Sequence, residues 1–367
     1  MHLPKPTPLL TIFRTMTGDF KKMLIIKPSS LGDVVMALPA LDALHKASPN
    51  AKISWLIRPE FAPLIENHPY LTDLIIFDRK FLAKSYFQPA ALVALFSLFT
   101  QLRRRNFDAV IDLQGLFRTA ALAWISHSKT RFGPVNAREF AHLFYTNPVS
   151  PDDNCIHVVD YYLKIARAAG AAQTPPSFSL PVSEQTADSA KKLLTTHNID
   201  PNSYAVIIPG STHAHKCWPV ERFAEIADRI TRNFNLPIVA TGTGAEKRII
   251  EHLQTLANVP VLNLAEQTNL KQLTALLKAA KLVVSNDTGP GQLAGALGTP
   301  LVLIFGPSNP IRIFPYGRKQ CVAAVEPYTR GLEIKSKNPK YNIDAVTIDL
   351  VYEKVCEQLQ TSRSQAN

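Results

Sequence analysis

The chain has 367 residues, 46% hydrophobic and 19% charged, which fits a globular protein with real cores and excludes a disordered or fibrous one. Lys and Arg outnumber Asp and Glu by 40 to 29, a net charge of +11 that suits a phosphorylated substrate, nucleic acid or an anionic membrane surface and selects none of them. Cys155, Cys217, Cys321 and Cys356 lie far apart with no C-x-x-C pair, which argues against a zinc ribbon or a dense disulfide framework and points to a reducing cytoplasm.

Residues 1–22 carry Pro4, Pro6 and Pro8 and a short apolar group, too short for a signal peptide. They read as an N-terminal extension or as sequence before the true start, with a membrane-touching anchor as the competing reading. The first clean strand is 23–27 (Met-Leu-Ile-Ile-Lys) and the first helix 34–47. The loop between them is Lys27-Pro28-Ser29-Ser30-Leu31-Gly32-Asp33. It is neither a G-x-G-x-x-G fingerprint nor a Walker loop. Gly32 lets the backbone approach another group closely. Asp33 stands at the helix start, either as a cap or as a carboxylate facing the strand ends, and the two roles are compatible.

Further strands are expected at 53–57, 74–77 and 109–113. Strands alternating with helices imply parallel βαβ units, whose ligands sit beyond the carboxyl ends of the strands. The run 89–102 is the longest apolar candidate, but Ser97, Thr100 and Gln101 break it and it falls short of the ~18–20 residues of a membrane span. Arg103-Arg104-Arg105 follows it. That pairing suits a helix with a basic C-terminal end, or a face that meets an anionic membrane. Arg118, in Gln114-Gly115-Leu116-Phe117-Arg118, follows the strand at 109–113.

A Pro-rich break at 174–181 separates this half from a second alternation. Its strands are expected at 204–208, 237–241, 259–262, 282–285 and 301–305, and its helices at 183–197, 221–234, 245–257 and 270–280. No internal repeat of about 20–50 residues is evident. After the first of these strands, Ser211 and Thr212 offer hydroxyls and Lys216 a mobile cation, a set that suits a diphosphate. An exposed lysine is the plain alternative. His213 and His215 lack a third ligand of matching spacing, so no metal site is expected. The turn Thr241-Gly242-Thr243-Gly244-Ala245-Glu246 is either a ribose contact through Glu246 or a simple helix start. In Asn286-Asp287-Thr288-Gly289, the amides of Thr288 and Gly289 can face a phosphate and Asp287 can accept from sugar hydroxyls; a tight capped turn is the alternative. The aspartic-protease reading of Asp-Thr-Gly fails on the α/β context. A final helix is expected at 344–359.

Taken together, these motifs resemble the ADP-heptose:lipopolysaccharide heptosyltransferases, glycosyltransferase family 9. The matching runs are S-S-L-G-D-V with L-P-A-L, D-A-V-I-D-L-Q-G-L, N-A-R-E-F-A-H-L-F-Y, K-C-W-P, N-D-T-G and F-G-P-S-N-P, in the family's order over 23–318. The N-A-R-E-F-A-H-L-F-Y run is most similar to heptosyltransferase I. The resemblance implies a GT-B fold: two Rossmann-like domains facing across a cleft, here an acceptor domain at 23–172 and a nucleotide-sugar domain at 173–343. Residues 344–367 would form a C-terminal helix packing back on the first domain, with a polar tail.

It also implies an inverting, metal-independent transfer of heptose from ADP-L-glycero-D-manno-heptose to Kdo of the lipopolysaccharide inner core, with no cofactor. The enzyme would be cytoplasmic and peripheral on the inner membrane. By that similarity Asp33 is the base and Lys216 neutralises the departing ADP. Ser211 and Thr212 hold the phosphates, Thr288 and Gly289 form the diphosphate turn, Asp287 and Gln292 meet the sugar, and Glu246 meets the ribose. Gly32, Arg118 and Arg138 lie on the acceptor side. Gln292 stands where heptosyltransferase I commonly has histidine, and glutamine donates a neutral hydrogen bond without imidazolium charge. The competing readings are a family member with another nucleotide sugar or envelope-glycan acceptor, and a nucleotide-sugar binder without catalysis. A nicotinamide dehydrogenase is disfavoured by the missing glycine fingerprint, and nucleic acid by the lack of a binding motif.

Overall fold

The computed structural model describes residues 20–366. The expected extension at 1–22 lies outside the described residues except at its end. Strands β1 (Lys22–Ile26), β2 (Lys52–Ile57), β3 (Asp73–Ile76), β4 (Ala109–Asp112), β5 (Thr130–Pro134) and β6 (Asn147–Val149) form one parallel sheet in the order β3-β2-β1-β4-β5-β6. A second parallel sheet has β7 (Ala205–Ile208), β8 (Ile238–Ala240), β9 (Val261–Asn263), β10 (Leu282–Asn286), β11 (Leu301–Ile304) and β12 (Val322–Ala323), ordered β12-β11-β10-β7-β8-β9. Numbered from its own first strand, each sheet has the order 3-2-1-4-5-6, the doubly wound nucleotide-binding topology. The same fold is thus built twice from sequences that share no visible repeat. What they share is short β-branched and leucine runs, such as M-L-I-I in β1 and L-V-L-I in β11, buried on both faces by helices.

The front half carries α1 (Leu31–Ala47), α2 (Ala62–Ile65), α3 (Arg79–Leu82), α4 (Pro89–Arg104), α5 (Phe117–Ile125) and α6 (Val158–Ala168). The back half carries α7 (Glu184–Thr196), α8 (Val220–Phe234), α9 (Lys247–Leu256), α10 (Leu270–Ala279), α11 (Gly289–Ala296), α12 (Pro310–Ile313) and α13 (Ile348–Ala366). Helix α1 begins ahead of the expected 34, because Ser30 caps it and Asp33 closes the capping box. Strands β5 and β6 were not expected. They are short, mix polar residues with Gly133 and Pro134 or Pro148, and show no clear alternation.

One apolar core runs through both halves, from Ile25, Leu38 and Trp55 to Val206, Val283 and Leu303. Helix α1 packs on α6 and on α11, so the first helix after each switch-point strand meets its counterpart's territory. A clasp beside this seam joins α6 to the back half. His157 Nδ1 accepts from the Val159 amide at 3.1 Å, so its proton sits on Nε2, which donates to the Phe314 carbonyl at 2.8 Å. The Tyr316 hydroxyl donates to Asp160 at 2.6 Å.

Among the described residues, the main contacts of α13 lie on the back half, with α8, β10, β11 and β12. Val351, Val355 and Leu359, spaced four apart on one face, are buried in the back-half core. That stripe covers the apolar outer face of β10–β12, and Arg229 on α8 ties it down through Asp349 at 3.1 Å.

Candidate active site

The strand order of each sheet reverses between its first and fourth strands, and chain ends diverging there open a crevice. In the front sheet that point lies between β1 and β4; in the back sheet, between β7 and β10. The sequence-predicted residues come from the loops at these two points.

In the front loop, Asp33 Oδ2 accepts from the Ser30 amide at 2.9 Å and from the Ser30 hydroxyl at 2.8 Å. The cap and the candidate base are therefore the same carboxylate, with one oxygen engaged and the other turned elsewhere. Oδ1 lies 3.8 Å from the ammonium of Lys27, whose side chain is 3% exposed against 40% for Asp33. Lys27 also donates to the Leu113 carbonyl at 3.3 Å and sits 4.9 Å from the Tyr162 ring centroid. Burial opposes its charge, but Tyr162, Asp33 and Asp112 outweigh burial and hold Lys27 above the ordinary lysine value. Burial pushes the fully enclosed Asp112 carboxyl up, against hydrogen bonds from Gln114, Thr119, Tyr145 and Gly115.

In the back half the polarity is reversed. Asp287, at the end of β10, is 7% exposed and pairs with Lys216 at 2.6 Å, whose side chain is 23% exposed. Asn286 fixes the loop that carries Lys216: its Oδ1 accepts from the Trp218 amide at 3.0 Å, and its Nδ2 donates to the Pro209 carbonyl at 2.7 Å. An ammonium has three donors, so pairing with Asp287 leaves Lys216 with hydrogens to offer. Thr288 caps α11 through Gly291 at 3.3 Å, and Pro290 has no N–H. The amides of Thr288 and Gly289 are therefore the ones this turn has to offer. Ser211 is partly buried and Thr212 exposed at the rim of the same loop.

The two switch points meet. A Cβ on Gly32 would stand 3.3 Å from Gln292 Cγ, and one on Gly289 would stand 2.8 Å from Leu31 Cβ. Gln292 in turn donates to the Ile313 carbonyl at 2.8 Å and to Asp287 Oδ1 at 3.4 Å. A chain of contacts therefore runs Asp33, Gly32, Gln292, Asp287, Lys216. Gly32, expected on the acceptor side, also stands at the seam between the halves. Its missing side chain makes room for the back half, and the residue is buried against Gln292.

Glu246 is held in its own turn, its Oε2 accepting from the Thr243 amide at 2.7 Å and hydroxyl at 2.9 Å. It lies over Gly210, which keeps it beside the β7 loop. Arg118 and Arg138 fall together on the front half. Burial, then the nearby Arg79, with Arg138 and Arg58 also contributing, press the Arg118 pKa below the ordinary arginine value, and Glu139 opposes them. A recess beside them is lined by Gln114, Gly115, Asn136, Arg138, Tyr161 and Tyr162. A larger recess lined by Leu64, Pro181 and Lys271 holds none of the predicted residues.

Sequence reasoning missed Lys27, Arg58, Tyr162 and Asn286. Lys27 reads as the end of a strand and Asn286 as part of a turn. Arg58 stands just after β2, at the same carboxyl edge, and its amide bonds to Pro28 of the first loop at 3.2 Å. That position was the available signal.

The chain matches the model of glycosyltransferase family 9 (heptosyltransferase) over residues 95–342, more than half of its length. The chain belongs to this family. It is 29% identical over 313 residues to the lipopolysaccharide core heptosyltransferase OpsX of Haemophilus influenzae, covering 83% of this chain and 84% of that protein. It is 29% identical over 305 residues to lipopolysaccharide heptosyltransferase 1 of Escherichia coli K12, covering 82% of this chain and 92% of that protein. Among solved structures it is similar to the E. coli heptosyltransferase WaaC with ADP-2-deoxy-2-fluoro heptose, at TM-score 0.71 and 26% identity, over 92% of this chain and 99% of that one. The fold of this family 9 glycosyltransferase is thus GT-B, with two Rossmann-like halves, and the protein is an enzyme of group transfer.

Proposed function

We propose that the enzyme transfers heptose, with inversion, from ADP-L-glycero-D-manno-heptose to Kdo of the lipopolysaccharide inner core. The observation that carries the proposal is the opposed pair of charges at the two touching switch points: a carboxylate presented by the front half and an ammonium presented by the back half. The names of the relatives and the sugar nucleotide in the similar WaaC structure support the choice of donor and acceptor class.

In this reading Asp33 Oδ1 takes the proton of the acceptor hydroxyl as its oxygen forms a bond to C1 of the sugar. The bond from C1 to the β-phosphate oxygen breaks, and its electron pair leaves with ADP. Lys216, the amides of Thr288 and Gly289, and the hydroxyls of Ser211 and Thr212 meet that charge. Asp287 and Gln292 hold sugar hydroxyls, and Asp287 keeps Lys216 in place. Glu246 faces the ribose. Arg118 and Arg138, with Arg58, hold the anionic acceptor. Lys216 and the amides supply the positive charge, so the proposed reaction needs neither metal nor cofactor.

The test is product analysis by mass spectrometry with ADP-heptose and Kdo-lipid A, with and without EDTA, and with ADP-mannose as comparison. Heptosylated product, unaffected by EDTA, is expected. Binding of ADP-heptose without any product would favour a non-catalytic binder. A second donor reading has one observation behind it: Gln292 brings a neutral amide to the sugar side of Asp287. Faster transfer from ADP-mannose would select it.

A further inference from the structure

Residues 79–107 contain no Asp or Glu and six cations, Arg79, Lys80, Lys84, Arg103, Arg104 and Arg105. The segment folds as α3, a turn and α4, and only one side of it is used for packing. Ala91, Leu98 and Leu102 face the front core. The opposite side turns apolar groups outward: Tyr86 is 91% exposed, Phe87 89%, Val93 68% and Phe96 60%. Val93, Phe96, Thr100 and Arg103 follow helical spacing, so one stripe of α4 passes from apolar to basic along its length. Exposed large side chains grouped in this way mark a docking surface rather than ordinary scatter.

The charges identify the occupant. Asp73 takes Arg105, and Glu60, which pairs with Arg58, lies 3.9 Å from Lys80. Among the described residues Arg79, Lys84, Arg103 and Arg104 form no ion pair. A second copy docking through the same patch would bring these cations against their own images, since a two-fold interface is self-matched. An anionic bilayer presents the opposite charge, and aromatic rings lodge at its headgroup boundary. The patch is also placed for it. Arg79 is close enough to Arg118 to perturb it, so the α3 end of the patch adjoins the acceptor-side arginines. Beyond Arg118, Phe117, Trp124, Phe140 and Leu143 are about half to three-quarters exposed, extending the apolar rim. No helix among the described residues is long and apolar enough to cross a membrane.

We propose that segment 79–107 is a membrane-docking surface, with Tyr86, Phe87, Val93 and Phe96 entering the interface of an anionic bilayer and Lys80, Lys84, Arg103 and Arg104 meeting its headgroups. Docked in this way, the front half holds its arginine cluster toward the membrane, where a lipid-borne acceptor is presented. That last link rests on the heptosyl-transfer reading; bilayer binding does not.

The experiment is flotation of the full chain with vesicles of phosphatidylcholine alone or mixed with phosphatidylglycerol. Binding is expected to the mixed vesicles, to weaken with salt, and to fall about tenfold in a Y86S/F87S/F96S variant and in a K80E/K84E variant. Thermal melting identical to wild type shows that these exposed substitutions leave the fold intact. Activity separates the two claims: the variants are expected to keep full transfer to a soluble Kdo acceptor and to lose it with Kdo-lipid A in vesicles. Vesicle binding with no transfer to either acceptor leaves the docking surface standing and refutes the heptosyl reading. Wild-type binding by both variants, no binding by the wild type, or a dimer that the Y86S/F87S/F96S variant dissociates would each overturn the docking surface.

Discussion

The front and back switch points are built on the same strand order and carry the same pair of charges with opposite exposure. In front, a lysine is sealed beneath the surface and an aspartate stands above it; behind, an aspartate is sealed and a lysine stands above it. The distances differ as well: 3.8 Å in front, 2.6 Å behind. The buried member fixes the presented one, and the presented one sets the chemistry. A carboxylate with one oxygen held by Ser30 and the other left for a proton suits a base. An ammonium locked on a carboxylate suits a fixed counter-charge for a leaving group. One scaffold therefore presents opposite charges by exchanging which sign is hidden, as the proposed transfer requires.

The sharpest way to break this comparison is Asp33→Asn, which keeps the shape of the carboxyl but removes its basicity. Transfer is expected to fall by roughly a thousandfold, within the range of general-base loss, while ADP affinity measured by calorimetry stays unchanged. Unaltered turnover would remove Asp33 from the reaction. Next in size is Lys216→Met, expected to lower kcat by roughly a hundredfold or more, on the scale of losing one preorganised donor. It also strands the buried Asp287, so its melting temperature should drop. Adding Asp287→Asn is expected to restore the melting temperature and not the rate. If both return, Lys216 serves the fold alone.

Lys27→Met probes the hidden member of the front pair. A loss of about tenfold in kcat is expected, the scale of a modest misplacement of a reacting group, with donor affinity unchanged. Equal loss of donor affinity would place Lys27 outside the front pair's role.

The smallest effect on rate concerns the clasp. Burial depresses the His157 pKa from 6.5 to about 4, so the folded state holds it neutral while the unfolded chain protonates it first. The unfolded state then binds more protons between these values, and stability rises with pH across that window. This contribution is present above about pH 6.5 and fades toward pH 4, by at most about 3 kcal/mol. Melting curves across that range should flatten in His157→Gln, with little change in kcat at neutral pH. A slope unchanged by the substitution would assign the acid sensitivity to other groups.

Much of this was legible from local chemistry. Runs such as Met23–Ile26 and Leu301–Ile304 announce buried parallel strands because both faces of such strands are apolar. The loops after them stand out because Gly, Asp, Ser and Thr at a strand end serve turns, caps and phosphates alike. Asp33, Lys216 and Asp287 are visible as chemistry for that reason. The roles of Gly32 and α13 were not visible, since each depends on a neighbour distant in sequence. Gly32 is shaped by Gln292, and α13 by the bare face of β10–β12.

The sequence by itself determined the strand-and-helix alternation, the division of chemistry between two sets of loops, and the family, because these follow from short-range patterns of apolar and polar groups. Only the tertiary structure decided that Lys27 hides behind Asp33 while Asp287 hides behind Lys216, and that the C-terminal helix buries its Val351, Val355 and Leu359 stripe in the back-half core. Burial is a property of everything packed around a side chain, and no stretch of chain carries that information about itself.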